Sequence, residues 1–175
     1  RRGEQKTLID TITPHMKSIH WCQEPGRIDG GDVVRVGDIF YIGKSKRTND
    51  EGISQFQDFL LKLGFESYVI NVPSYSLHLT TLCSAPNSKI LLIPESTAND
   101  LVFENLPNSV EIIKIPDNET YGCNTIGIGN KVIISEGYST VKNILTKKGL
   151  ETIELSMSEF RAVDGSLTCL SLFYN

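Results

Sequence analysis

The feature that most constrains the fold of this chain is a pattern of two strands, a helix and a third strand that recurs along it. Gly37-Asp38 lies between two short runs of β-branched and aromatic residues and predicts a hairpin turn. Apolar residues then recur at helical spacing between a cap at Thr48 or Asn49 and a stop at Gly64. The first copy comprises strands over 33–36 and 39–42, a helix over 49–63 and a strand over 66–72.

The same pattern recurs twice more, so the chain has an internal repeat. The helices of the three copies begin at residues 49, 97 and 139, which are 48 and 42 residues apart. A period near 45 is typical of a propeller-like or other repeat array. The second copy comprises strands over 77–82 and 89–93, a helix over 97–105 and a strand over 110–115. The third comprises strands over 124–128 and 132–135, a helix over 139–148 and a strand over 151–155.

The two ends of the chain look like partial copies of the same unit. Residues 4–22 predict a helix interrupted near Pro14 and a strand over 19–22, and residues 167–173 predict an opening strand. We therefore expect one α/β domain over 1–175 with about three full units and partial ones. Because closing a ring requires more units, and because the chain begins at Arg1 without a methionine, we expect a further segment before Arg1.

Composition narrows the classes of partner. The chain has 175 residues, 39% of them apolar, a formal charge of −4 and a pI near 5.4. Without a basic surface it has no means of attracting nucleic acid or an anionic membrane. It has neither the roughly 20 consecutive apolar residues of a membrane span nor a signal-peptide core. We expect a cytosolic protein with a small or cationic ligand.

Four reactive residues occupy equivalent positions on the repeat. From Asp29 to His78, His78 to Cys123 and Cys123 to Cys169 the intervals are 49, 45 and 46 residues. Equivalent positions on repeats around an axis point toward that axis, so a carboxylate, an imidazole and a thiol should converge. These are the groups that catalysis by a sulfur nucleophile needs.

Each of these signals also has a structural interpretation. Four cysteines and three histidines can match a period by chance, and cysteines without a C-x-x-C pair are commonly buried apolar residues. Cys123 in particular fits a buried structural role. Gly30-Gly31 would allow close approach to a ligand or form an ordinary turn. Arg47 would bind a carboxylate or face solvent.

The chain carries four motifs in a fixed order: Ile28-Asp29-Gly30-Gly31-Asp32-Val33, Ser45-Lys46-Arg47-Thr48-Asn49, Leu77-His78-Leu79 and Val163-Asp164-Gly165-Ser166-Leu167-Thr168-Cys169. In this order they resemble the dimethylarginine dimethylaminohydrolase family of the pentein, or guanidine-modifying, superfamily. The resemblance extends over nearly the whole chain, from Arg1-Arg2 to Cys169.

The resemblance implies a five-bladed α/β propeller of ββαβ modules, here incomplete, and specific roles for the motif residues. Cys169 would be the nucleophile, His78 the general acid and base, and Asp29 its acidic partner. The residues implied in substrate binding are Arg47 and Arg1 at the carboxylate, Val163 through its main chain, and Gly30, Gly31 and Asp32.

The implied reaction is hydrolysis of N-methylated arginine to citrulline and a methylamine through a covalent thiouronium intermediate, without a metal or cofactor. Members of the family carry an acidic segment upstream of the position matching Arg1, which binds the cationic substrate and has no counterpart here. Two alternatives stay open: an arginine or agmatine deiminase of the same superfamily, and a pentein that binds without catalysing.

Overall fold

The computed structural model describes residues 4–173 and consists of three small three-stranded sheets with helices and turns between them. Short 3₁₀ helices precede or follow several strands. The helices are α1 (Glu4–Ile12), α2 (Asp50–Lys62), α3 (Ser139–Lys147) and α4 (Ser158–Arg161). The strands are β1 (Val33–Val36), β2 (Ile39–Lys44), β3 (Glu66–Asn71), β4 (Ser84–Asn87), β5 (Ile90–Pro94), β6 (Glu111–Ile115), β7 (Ile126–Ile128), β8 (Lys131–Ser135) and β9 (Glu151–Leu155).

The three sheets share one topology, as the repeat predicts. In each, the first strand is antiparallel to the second, and the second is parallel to the third. A parallel pair needs a crossover connection, which α2 supplies in the first sheet and α3 in the third. The fold is therefore a mixed α/β arrangement of small sheets.

Helix α2 shows how the sequence sets an element of the unit. The Asn49 side chain accepts a hydrogen bond from the Gly52 N–H at 3.0 Å, so Asn49, one of the two predicted caps, caps the helix start. Ile53 and Leu60 are buried against Ile42 of β2. Burying such side chains contributes about 1.5–3 kcal/mol each, so packing on the sheet stabilises this helix.

The predicted helix over 97–105 is wrong. A 3₁₀ helix over Glu95–Thr97 is followed by turns, and Asn105 has φ of 53°. This path lets Leu101 enter the core that surrounds Tyr41. It also brings the ring of Phe103 against that of Tyr41, with 4.9 Å between the ring centroids. Packing of Leu101 and Phe103 in the core outweighs the modest helix propensity of the segment.

Two of the predicted first strands are also wrong. Leu79–Thr81 is a 3₁₀ turn, so the first strand of the second sheet is Ser84–Asn87 instead of 77–82. Thr168–Leu170 is likewise a 3₁₀ turn within the strand predicted over 167–173. The strand over 19–22 is not formed, since no neighbouring strand in the described residues pairs with it. Side-chain hydrogen bonds hold both turns, as shown below, and offer the backbone an alternative to a sheet ladder.

The first strands of the second and third sheets, β4 and β7, lie so close that their main chains are in contact. A Cβ added at Gly127 in β7 would lie 1.6 Å from the carbonyl oxygen of Pro86 in β4. Only glycine avoids this overlap. The turns that precede β4 and β7 are thereby held close together.

Candidate active site

Asp29 and His78 form the centre of the site. Asp29 precedes the 3₁₀ turn Gly30–Asp32 and accepts the Gly31 N–H at 3.0 Å. His78 precedes the turn Leu79–Thr81, and its Nε2 lies 3.3 Å from Oδ2 of Asp29. Nε2 is buried and has no aligned hydrogen-bond partner within residues 4–173, so the contact acts through charge when the imidazole is protonated.

Gly31 creates the space that the imidazole occupies. A Cβ at Gly31 would lie 2.7 Å from Cγ and 2.8 Å from Nδ1 of His78. Gly31 thus lies in a turn, as one of the two sequence interpretations has it, and its bare face is filled by a side chain of the protein itself. Gly30 differs, because a Cβ there would meet no atom within 4 Å.

Asp29 is held in its charged form. Burial acts to raise its pKa, but the Gly31 N–H, the charge of His78 and the Arg47 guanidinium together hold the pKa below its ordinary value. Nη1 of Arg47 lies 3.4 Å from Oδ2 of Asp29, and one third of the Arg47 side chain is exposed. Arg47 therefore faces the site instead of projecting only into solvent.

Asp32 has a structural position that does not fit the substrate contact inferred from the resemblance. Its side chain is fully buried, and its carboxylate accepts hydrogen bonds from Ser45 Oγ at 2.6 Å, Thr48 Oγ1 at 2.7 Å and the Leu79 N–H at 3.1 Å. Thr48 Oγ1 also accepts the Asp29 N–H. Asp32 therefore ties the Asp29 segment to the residue that follows His78, and no ligand can reach its carboxylate.

Cys169 lies in the turn Thr168–Leu170 and is exposed. Its Sγ is 3.1 Å from Oγ of Ser166, and its N–H donates to the Ser166 carbonyl. The preceding loop is fixed by Tyr121, whose hydroxyl donates to the Gly165 carbonyl at 2.7 Å. Val163 in this loop is 77% exposed, and Arg1 lies outside the described residues.

The buried side chain of Asn124 links the Cys169 turn to the His78 turn. Asn124 donates from Nδ2 to the Thr80 carbonyl at 3.1 Å and to Oγ1 of Thr168 at 2.8 Å. Its Oδ1 accepts the Thr168 N–H at 3.0 Å. Sequence reasoning stopped one residue short, at Cys123; the equal spacing of 44 residues on either side of Asn124 was the available signal.

Burial separates the four cysteines into two classes. Cys83 and Cys123 are fully buried, and desolvation raises the pKa of the Cys83 thiol and raises that of Cys123 to about 12. Such thiols are poor nucleophiles because the thiolate is disfavoured, which agrees with the structural interpretation of Cys123. Cys22 and Cys169 are exposed. In the part of the chain that the structure describes, no cluster of three or more His, Cys, Asp or Glu residues could hold a metal ion.

Comparison with known proteins decides the family. No family model matches the chain. It is 34% identical, over 98% of its length, to the dimethylarginine dimethylaminohydrolase of Pseudomonas aeruginosa, and 28% identical to that of Streptomyces coelicolor. A crystal structure of the P. aeruginosa enzyme, a serine variant in complex with citrulline, superposes with a TM-score of 0.89 at 32% identity and is covered over 67% of its chain. The chain belongs to the dimethylarginine dimethylaminohydrolase family.

Structures with lower sequence identity share the fold of this chain. A cyanobacterial arginine dihydrolase matches at a TM-score of 0.81 with 17% identity. An amidinotransferase from Microseira wollei matches at 0.73 with 19% identity. The chain spans 64–66% of the length of the first curated relatives. Among residues 4–173, no helix has both the length and the apolar content to cross a membrane.

Proposed function

We propose that this chain carries the Cys169, His78 and Asp29 machinery of a dimethylargininase, which hydrolyses methylated arginine to citrulline and a methylamine. The contact between Asp29 and His78 at 3.3 Å, on a turn linked through Asn124 to that of Cys169, carries the proposal. The names of the relatives and their complexes with citrulline and S-methyl-L-thiocitrulline support the substrate class.

The first half of the reaction is attack by the Cys169 thiolate on the guanidinium carbon. This carbon is a poor electrophile because its charge is delocalised, so a strong sulfur nucleophile suits it. A C–S bond forms and gives a tetrahedral adduct. The protonated His78 then donates its proton to the methylated nitrogen, the C–N bond breaks, and the amine leaves a thiouronium on Cys169.

The second half is hydrolysis of that intermediate. Neutral His78 takes a proton from a water molecule, whose oxygen bonds to the same carbon. The C–S bond then breaks, and the released product carries a ureido group in place of the guanidinium. The Asp29 carboxylate stays ionised beside Nε2 and would hold the imidazole in position in both halves.

Substrate binding would use the remaining motif residues. Arg47 lies beside Asp29 with part of its guanidinium exposed, and Arg47 and Arg1 would bind the substrate carboxylate. Val163 would contribute its main chain, and Gly30 offers open space for close approach. A cationic guanidinium would lie near the Asp29 carboxylate, and the chemistry requires no metal or cofactor.

We also propose that the ββαβ modules form part of a ring in a single domain, which a segment matching the remaining third of the relatives' length would complete. An apolar groove of about 310 Å³ lies beside β9 and the Cys169 turn and would receive part of that segment. The groove is lined by Ile126, Ile133, Leu155, Phe160, Leu167 and Leu170. The intact mass of the natural protein tests this: a mass matching 175 residues together with full activity would contradict it.

Citrulline formation by the intact protein tests the activity. Monomethylarginine and dimethylarginine should give citrulline and the corresponding amine in equal amounts. Preference for arginine or agmatine, with ammonia as the second product, would instead identify a deiminase of the same fold. Binding of these compounds without any turnover would identify a non-catalytic module.

A further inference from the structure

We infer that Asn124 is a positioning residue that fixes the Cys169 turn against the His78 turn. The inference rests on the proposed function, since it assigns the two turns to one reaction. Asn124 is 5% exposed and touches neither Cys169 nor His78 through a hydrogen bond. It acts through their neighbours, Thr168 and Thr80.

The hydrogen-bond pattern requires an amide at position 124. The Thr80 carbonyl can only accept, so it takes a hydrogen bond from Nδ2. The Thr168 N–H can only donate, so it must face Oδ1. Aspartate would lose both donated bonds and would bury a negative charge near the Cys169 turn, and alanine would lose all three bonds.

The residues on either side of Asn124 are themselves anchored to the second sheet. Ser84 in β4 donates to the Cys123 carbonyl, and its hydroxyl lies 2.8 Å from Oγ1 of Thr125. Both neighbours of Asn124 are thereby fastened to one buried side chain. The amide has a fixed base from which to hold the exposed Cys169 turn.

Fixing this turn matters because nucleophilic attack depends on geometry. A misplacement of about 1 Å can cost about 100-fold in rate. Cys169 itself is anchored mainly within its own turn, through Ser166. The bidentate contact between Asn124 and Thr168 is the link from that turn to the segment carrying His78.

Paired variants test the inference in the intact enzyme. Asn124→Ala and Thr168→Val should each lower kcat by about 10- to 100-fold with KM within about threefold, because orientation is lost and not binding. Thr168→Ser restores the accepting hydroxyl and should restore kcat. Asn130→Ala is the matched control, since this asparagine is exposed in the turn between β7 and β8. The variant that combines Asn124→Ala with Thr168→Val should be no slower than Asn124→Ala alone, because both substitutions remove the same contact.

Thiol reactivity gives a readout that does not need turnover. The profile of Cys169 alkylation by iodoacetamide, followed by peptide mass spectrometry, should change in both variants because the turn that carries Cys169 loses its link through Asn124. The exposed Cys22 in the same molecule is the internal reference and should keep its profile. Circular dichroism checks that each variant is folded; if Asn124→Ala is not, Thr168→Val with its serine rescue decides.

The outcomes separate the two proposals. An intact parent that makes no citrulline from any guanidine refutes the proposed function, and the alkylation profiles still decide the role of Asn124. An active parent whose folded Asn124→Ala and Thr168→Val variants keep both kcat and the Cys169 profile overturns the positioning role.

Discussion

Nε2 of His78 lies 3.3 Å from Oδ2 of Asp29, although residues 29 and 78 are far apart in the chain. The two residues meet because each precedes a 3₁₀ turn and because Asp32 of the first turn accepts the Leu79 N–H of the second. The contact also needs the bare face of Gly31, against which the imidazole packs.

Gly31→Ala should displace the imidazole. Its added Cβ would lie 2.7 Å from Cγ of His78, closer than packed atoms approach. We expect a loss of citrulline formation of about 10-fold or more, with a shifted His78 ring signal in NMR titrations. Gly30→Ala is the matched control for the ring signal, because its Cβ would meet no atom within 4 Å. Identical His78 signals in both variants would contradict this account.

Asp29→Asn should remove a pH-dependent part of stability. Because the folded-state pKa of Asp29 is lowered, its contribution is fully present above its ordinary pKa near 4 and is lost as pH falls through the lower folded-state value. Urea unfolding from pH 7 to pH 2 should show the free energy of unfolding of the parent falling more steeply below pH 4 than that of the variant. Parallel decline in the two proteins would refute the prediction.

Cys169→Ser should abolish turnover and leave the fold intact, because Cys169 is exposed and serine preserves the shape of its side chain. The expected loss is several orders of magnitude in kcat, as for other members of a catalytic unit. Cys22→Ser, the other exposed cysteine, should retain activity. The measurement is citrulline release by the intact protein, and parental rates in the Cys169 variant would exclude the mechanism.

Asp32→Ala should be strongly destabilising. It leaves the Ser45 and Thr48 hydroxyls and the Leu79 N–H without their acceptor in the interior. We expect a loss of about 3 kcal/mol in the free energy of unfolding by chemical denaturation. Asp38→Ala is the control, since that carboxylate is exposed and pairs with Arg35 at the surface. Equal free energies of unfolding for the two variants would show that the hydrogen bonds to Asp32 contribute little to stability.

Local patterns predicted the elements that local forces determine. The hairpin at Gly37-Asp38, helix α2 with its cap at Asn49, and helix α3 follow from alternation, helical spacing and turn residues. The segment over 97–105 could not be predicted this way, because its path depends on distant core residues such as Tyr41.

The site was predictable to the same extent. The spacing of Asp29 and His78 indicated their meeting, which the structure shows. The role of Cys169, indicated by the same spacing and by the family resemblance, stays a prediction. Asp32 and Asn124 were misjudged or missed, because the roles of both depend on backbone groups of other turns, Leu79 and Thr80. Every residue type except proline has both a main-chain N–H and a main-chain carbonyl. The residue types at positions 79 and 80 therefore do not show that their main chains bind Asp32 and Asn124.

The close approach at Gly127 has an unequal effect on how the two facing positions can evolve. Its neighbour across the gap is the backbone oxygen of Pro86, an atom that every amino acid possesses. Residue 86 can therefore change without altering the contact, whereas any side chain at residue 127 would force the second and third sheets apart. The absence of a side chain at residue 127 therefore permits the observed spacing between these two sheets.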